Sequence, residues 1–330
     1  MDVDAYVAAH EPEWARLHEL LGRRRLDGGE ADELVALYQR TATHLSVIQT
    51  RSPDPALVAR LSTLVARARS AVAGGSAPSW RALARFFQVT FPVAVFRARR
   101  WWGTVAAAFL GVSFSLLTWI GTHPEVRSRL VPPRQAARLC EHEFAGYYTA
   151  HAAGSFGLQV WTNNALVAAG TLVTGVLILP ALGILLGNAV NVGVTGGIMV
   201  GCGRTGEFFG LISPHGILEL TAVFVAAGVG VRIGWAWIDP GGRSRGRALA
   251  EETRVAVTVA LGLILVLAVS GAIEAFVTPS ALPTAARIGI GVAAEAVFLS
   301  YVFGYGRRAA RRGETGDLAA DRRGDVLPVG

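Results

Sequence analysis

The chain has 330 residues, of which 52% are hydrophobic and only 17% charged. Soluble globular domains carry about 25% charged residues, so this composition excludes an ordinary soluble protein and points to a membrane protein. The formal charge is +7 and every basic residue is Arg, but the arginines cluster beside apolar runs, which assigns them to membrane topology rather than to nucleic acid.

Residues 1–78 are polar and follow helical spacing, which predicts a cytoplasmic helical bundle. A first helix is expected over about 3–24, around Trp14, Leu17 and Leu21, and a second over about 30–50, carrying Leu34, Leu37, Tyr38, Leu45 and Ile48. Pro53 and Pro55 in "RSPDPA" oppose its continuation. A third covers about 55–73 with Leu57, Leu61, Leu64, Val65 and Val72, and "AGGSAPS" then breaks the chain. Three short-linked helices make an antiparallel bundle. The segment 79–98 sets Arg81 and Arg85 against Trp80, Leu83, Phe86, Phe87 and Phe91, which predicts an interfacial amphipathic helix on the membrane surface, with a kink at Pro92. The first hundred residues hold no short apolar core before a small-residue cleavage site, so no secretory signal peptide is expected.

A transmembrane domain is predicted over 99–306, with six spans at about 101–121, 163–179, 182–202, 214–237, 254–276 and 286–305. The apolar run from Asn163 to Cys202 is roughly two spans long, so it must fold back, with the turn expected at Pro180. Residues 307–330 read as a disordered, charged cytoplasmic tail. The fold class is therefore all-α: a polytopic helical membrane protein with about six transmembrane helices. Six spans place Arg97, Arg99 and Arg100, the cluster Arg243, Arg245, Arg247 and Arg254, and the cluster Arg307, Arg308, Arg311 and Arg312 on one side. That side is expected to be the cytoplasm, with both termini, in the inner (plasma) membrane. Loop 122–162 then lies outside, against the bias of its own Arg127, Arg129, Arg134 and Arg138. Trp101, Trp102, Trp119, Trp161, Trp235, Trp237, Tyr301 and Tyr305 fall near span ends, as interfacial aromatics do.

His215 and Glu219 in "LISPHGILELTA" share one helical face, since four residues advance about 400°. They can supply two metal ligands, but a catalytic zinc site has three and no H-E-x-x-H is present. His123, His142 and His151 of the outer loop could complete a set, though nothing in their spacing argues for it. The bland role is helix-end architecture, with Pro214 and Gly216 shaping the entry and His215 and Glu219 facing Asn163 or Asn164 at the same depth. Asn188 and Asn191 can hydrogen-bond across helices, Arg232 can snorkel, Glu274 lies near a span end, and Glu295 sits near the middle of its span. Gly197 and Gly201 form a G-x-x-x-G that favours close helix packing. Cys140 and Cys202 both lie outside on this topology, where a disulfide can persist; free thiols are an equal expectation. There is no P-loop, nucleophile elbow or dinucleotide fingerprint, so no catalytic residue, cofactor or metal is expected.

Several stretches taken in order resemble the stage II sporulation protein M family of bacterial integral membrane proteins. They are "ELVALYQRTATHLSVIQT", "TNNALVAAGTLVTGVL", "LLGNAVNVGVTGG", "ISPHGILELTAVFVAAGVGVRIG", "IDPGGRSRGRAL" and "GAIEAFVTP". Val192 departs from the Gly that the family often places after its Asn. The resemblance covers roughly residues 30–305. It implies a membrane scaffold whose role depends on partners; the founding members act with two peptidoglycan-degrading enzymes during engulfment. It supplies no catalytic residue. An all-Arg chain goes with a GC-rich, actinobacterial genome, hence with relatives that form no endospores. Two functions follow as expectations. One is a non-enzymatic scaffold or complex subunit of the cell envelope, with the bilayer, protein partners and a homo-oligomer as contacts and no nucleic acid. The other is a transporter or permease subunit with a polar intramembrane site. An intramembrane metalloenzyme is the weakest reading.

Overall fold

The computed structural model describes residues 3–23, 26–51, 54–72, 80–144, 146 and 153–318. Pro53, the break at 73–79, His151 and the tail beyond 318 lie outside the described residues. Among those described, the chain is helical with no strand. It divides into two compact units, Met1–Leu83 and Ala84–Gly330, a few residues later than the boundary expected at 78.

The first unit contains α1 (Val3–Gly22), α2 (Gly28–Arg51) and α3 (Pro55–Val72). The starts of α2 and α3 have local causes. The Asp27 carboxylate accepts the Glu30 N–H at 2.8 Å while Glu30 accepts the Asp27 N–H at 3.1 Å, a reciprocal box that satisfies two otherwise unpaired donors. Asp54 caps α3 by accepting the Ala56 N–H at 2.9 Å, and Pro55 sits at the first helical position, where no N–H is missed. The apolar stripes then meet: Trp14, Leu17 and Leu20 of α1, Leu34, Leu37 and Ile48 of α2, and Leu61, Leu64 and Ala68 of α3 form one buried cluster. Leu20, rather than the expected Leu21, is the fully buried position, and Val72 is 37% exposed.

The boundary falls inside α4 (Trp80–Arg85), which runs through a π-helical turn (Phe86–Thr90) into α5 (Phe91–Arg97) of the second unit. Then come α6 (Arg99–Thr122), α7 (Pro124–Leu130), α8 (Pro133–Arg138), α9 (Ala153–Thr174), α10 (Leu179–Gly201) and α11 (Thr205–Ile238). The chain closes with α12 (Arg245–Ala272), α13 (Thr284–Tyr301) and α14 (Arg307–Arg311). Among the described residues, five helical stretches are long and apolar enough to cross a bilayer: Arg99–Thr122, Leu179–Gly201, Thr205–Ile238, Arg245–Val277 and Thr284–Arg311. The remaining expected span corresponds to α9, which starts earlier than 163 and packs with α10, α11 and α12. The fold-back between α9 and α10 lies in the turn Gly175–Leu177, with Ile178 at φ 60°, so Pro180 opens α10 rather than making the turn.

α11 is the centre of this unit, packed by α6, α9, α10, α12 and α13. Its composition permits that place, because a Gly- and Ala-rich helix lets neighbouring backbones come close. A Cβ at Gly230 would stand 2.5 Å from the Thr171 carbonyl oxygen of α9. We therefore expect Gly230→Val to destabilise the protein by about 1–3 kcal/mol through overpacking, lowering the melting temperature in detergent by about 2–12 °C. Gly111 on α6 has nothing within 4 Å of its own added Cβ, so Gly111→Val should leave that temperature unchanged.

Two expectations are corrected here. The segment 79–98 is not a helix lying wholly on a surface. Phe91, Pro92, Val93, Ala94 and Val95 are all buried, with Phe91 seated against Gly262 of α12 and the Pro92 carbonyl against Gly306. Five consecutive buried residues leave no polar face for water, so this half is core. The segment from 307 is also ordered as far as 318. α14 continues α13 through the π-turn Val302–Gly306. Asp317 then receives a two-pronged hydrogen bond from Arg254, at 2.7 and 3.0 Å, and the Gly316 carbonyl accepts the Thr258 hydroxyl at 3.0 Å. The charge that suggested disorder is matched by a partner on α12. At the other end of the bundle Cys140 and Cys202 form a disulfide, with sulfurs 2.21 Å apart, that ties the α7–α8 segment to the end of α10.

Candidate functional site

The site begins at Pro214. A proline inside a helix has no N–H for the carbonyl four residues back, so the α11 backbone is loosened there. α13 comes close at this point, with Gly291 directly against the Pro214 carbonyl. His215 and Glu219 follow one turn apart, about 15 and 21 Å along the helix from its start. From the other side, α12 ends in a π-helical turn, Ile273–Val277, that carries Glu274. π-turns add a residue to the helix and re-aim side chains, and they recur at functional sites.

These elements bring three of the expected residues together. His215 Nε2 lies 3.7 Å from Glu274 Oε1, and His215, Glu219 and Glu274 each offer a ligand atom within 4.8 Å of the others. His215 is 6% and Glu274 2% exposed, and Glu219 is half-buried. Two residues of α12 and its end, not singled out from the sequence, orient it. The Ser270 hydroxyl donates to the His215 carbonyl at 3.0 Å and reaches Glu219 Oε2 at 3.5 Å. Thr278 Oγ1 stands 3.2 Å from His215 Nδ1. The Thr278 hydroxyl also lies 3.5 Å from the Ile273 carbonyl; when it donates there it accepts the Nδ1 proton, the tautomer that leaves the Nε2 lone pair facing Glu274. Glu274 Oε2 is buried and makes no hydrogen bond. The signal for the missing pair was present: Ser270, Glu274 and Thr278 recur every four residues, a polar stripe on an apolar helix.

The other candidates are elsewhere. His215 and Glu219 do not meet Asn163 or Asn164: Asn163 is exposed and donates to the Asn164 side chain at 3.4 Å. Helical register alone placed those asparagines at a similar depth but could not tell which way α9 faces. Asn188 donates to the Ile184 carbonyl of its own helix at 2.9 Å, and Asn191 is exposed. Glu295 accepts the Thr221 hydroxyl at 2.9 Å, with its other oxygen buried and unbonded. An apolar groove of about 330 Å³ between α6 and α11, lined by Phe109, Ser113, Leu117, Phe208, Gly216 and Phe224 among others, contains none of these eight residues. That groove is therefore not a polar cavity shared by these residues. Arg232 does not merely snorkel; it grips Glu252, which is 6% exposed.

The first unit holds a second trio, His10, Glu13 and His44, within the same mutual distance of 4.8 Å. Its chemistry differs. Trp14 Nε1 donates to His44 Nδ1 at 3.2 Å, and the His10 and His44 rings face each other at 3.9 Å between centroids. Burial, and then the neighbouring His10, pull the His44 pKa below the usual imidazole range. A ring whose Nδ1 accepts a proton keeps its own proton on Nε2, so His44 as placed is an aromatic packing group rather than a ligand.

Neither a curated protein nor a solved structure matches the chain. Residues 4–74, which include the first of the resembling stretches, match a model described as a domain of unknown function (DUF8413). Residues 103–279, more than half of the chain and the whole of the His215–Glu219–Glu274 cluster, match the model described as stage II sporulation protein M, and the chain belongs to that family.

Proposed function

We propose that this protein is a non-enzymatic membrane subunit that assembles with protein partners of the cell envelope. The observation that carries this reading is one face of α10. Leu182, Leu186 and Val190 are 43%, 54% and 38% exposed, and beside them Gly183 and Gly187 have open space where a Cβ would be. Asn191, one turn further on, is also exposed. In a membrane-spanning helix an exposed amide faces hydrocarbon with its hydrogen bonds unmade, unless another helix supplies them. Small residues four apart provide the close approach that such a helix needs. The partner is a second copy or a different envelope protein, and the family resemblance favours the latter.

The same reading places the protein in the plasma membrane with both termini in the cytoplasm. The Cys140–Cys202 bond suits an oxidising exterior, and the arginine clusters of α5–α6, the α11–α12 connection and α14 suit the opposite side.

Purification of the tagged full-length protein from its native membranes in mild detergent tests the proposal. A companion band or a dimer should be recovered. Gly187→Leu and Asn191→Leu should each weaken that association about 5- to 30-fold, the equivalent of one interhelical contact of about 1–2 kcal/mol. Recovery of a lone monomer, or full retention of companions in the double variant, would sink it.

A further inference from the structure

We propose that His215, Glu219 and Glu274 hold one divalent first-row transition cation, of the zinc or manganese class, clamped between α11 and the end of α12. The donor set is one imidazole and two carboxylates, the mixed nitrogen–oxygen set that such ions take. Around an ion with bonds of about 2.0–2.2 Å, ligand atoms stand roughly 3.3 Å apart in a tetrahedron and up to about twice the bond length when opposite. The 3.7 Å between His215 Nε2 and Glu274 Oε1 falls in that range, and the 4.8 Å limit on the trio exceeds it by a few tenths of an ångström, a gap that a small side-chain rotation closes. The first of these is too long for a hydrogen bond.

Three further observations point the same way. Thr278 Oγ1 stands 3.2 Å from His215 Nδ1, placed to hold a proton there, which is the arrangement that turns Nε2 of a ligating imidazole to the ion. Glu274 Oε2 is buried without a hydrogen bond, so the carboxylate has capacity that the protein leaves unused. Among the described residues, no Arg pairs with Glu219 or Glu274; Arg287, the nearby cation on α13, donates to the Thr278 carbonyl instead. Two ionised carboxylates at membrane depth call for two positive charges, and a divalent ion supplies both at once. The first-unit trio lacks these features, because Trp14 occupies a ring nitrogen of His44.

The test uses the full-length protein in detergent under non-reducing conditions, so that the disulfide-bonded cysteines take no metal. It is stripped with chelator and then dialysed against Zn²⁺, Mn²⁺ or Co²⁺ alone, with bound metal measured by elemental analysis. We expect about one ion per chain, a melting temperature raised by about 4 °C or more at saturating metal, and d–d bands of low symmetry with Co²⁺. Glu274→Gln should remove the ion, and Thr278→Val, which spares all three ligands, should weaken binding about 10- to 100-fold. Glu295→Gln and His44→Ala should change neither the amount bound nor the affinity. Folded protein that takes up none of the three ions overturns the proposal and leaves the carboxylates neutralised by protons. So does an ion that is lost in His44→Ala and kept in Glu274→Gln, or an affinity that Thr278→Val does not move.

Discussion

Replacing Arg232 by Met should destabilise the membrane unit by about 3–5 kcal/mol, the loss seen when one member of a buried ion pair is removed and the other is stranded. Arg232 Nε and Nη2 bind Glu252 Oε2 and Oε1, each at 3.0 Å, and the Glu252 side chain is only 8% exposed. Arg243 stands 3.9 Å from the same carboxylate but is 39% exposed, and its Nη1 already pairs with Glu251 at 2.8 Å, so it compensates little. The effect should be asymmetric. Arg232 is 24% exposed, so in Glu252→Met its guanidinium can turn to water and the loss is smaller. In the double variant no charge is stranded, and most of the stability should return. Thermal unfolding of the four proteins in one detergent measures this cycle. Additive losses in the double variant would show that the two side chains act separately and that the pair does not hold α11 to α12.

In the first unit the largest effect should come from Trp14→Ala. Trp14 is 1% exposed at the centre of the three-helix cluster, and deleting a buried Trp costs about 3–5 kcal/mol in lost transfer energy and cavity formation. The change also removes the donor to His44 Nδ1. In a chain with two compact units, an unfolding temperature of the whole does not tell which unit has lost stability. Hydrogen exchange resolves it. Amides in peptides covering residues 3–72 should exchange about 150- to 5,000-fold faster, while peptides from α11 provide the internal reference. Protection of α1–α3 that survives the substitution would mean that the three stripes do not depend on this ring.

The elements themselves were legible because period and length are local properties. Helical spacing located α1, α2 and α3, and apolar runs of bilayer length located the long helices of the second unit. The places where the reading was corrected share a cause. In residues 91–96 the sequence is a continuous apolar run, and surface and core use of such a run differ only in what lies opposite; here Gly262 and Gly306 make room for it. In residues 307–318 the charges read as solvated until Arg254, more than fifty positions earlier, is seen to face Asp317. Arg, Glu and Asp composition carries no record of such a partner. The α9–α10 turn shifted a few residues upstream because Pro180 is tolerated in a first helical turn as readily as it ends one.

By itself the sequence determined that this is an all-α membrane protein, that a polar bundle precedes its apolar helices, and that "PHGILE" places an imidazole and a carboxylate on one helical face. These follow from composition and from a 3.6-residue period, which depend on neighbours along the chain. Only the tertiary structure decided what that face meets. Glu274 is 55 residues or more from His215 and Glu219 in the chain, and the asparagines that looked like their neighbours point elsewhere. Which side chain completes a buried site depends on the rotation of each helix about its own axis. That rotation is set by where glycines let backbones touch, as at Gly230 against α9 and Gly291 against Pro214, and the pairing of those surfaces is written in no single stretch of sequence.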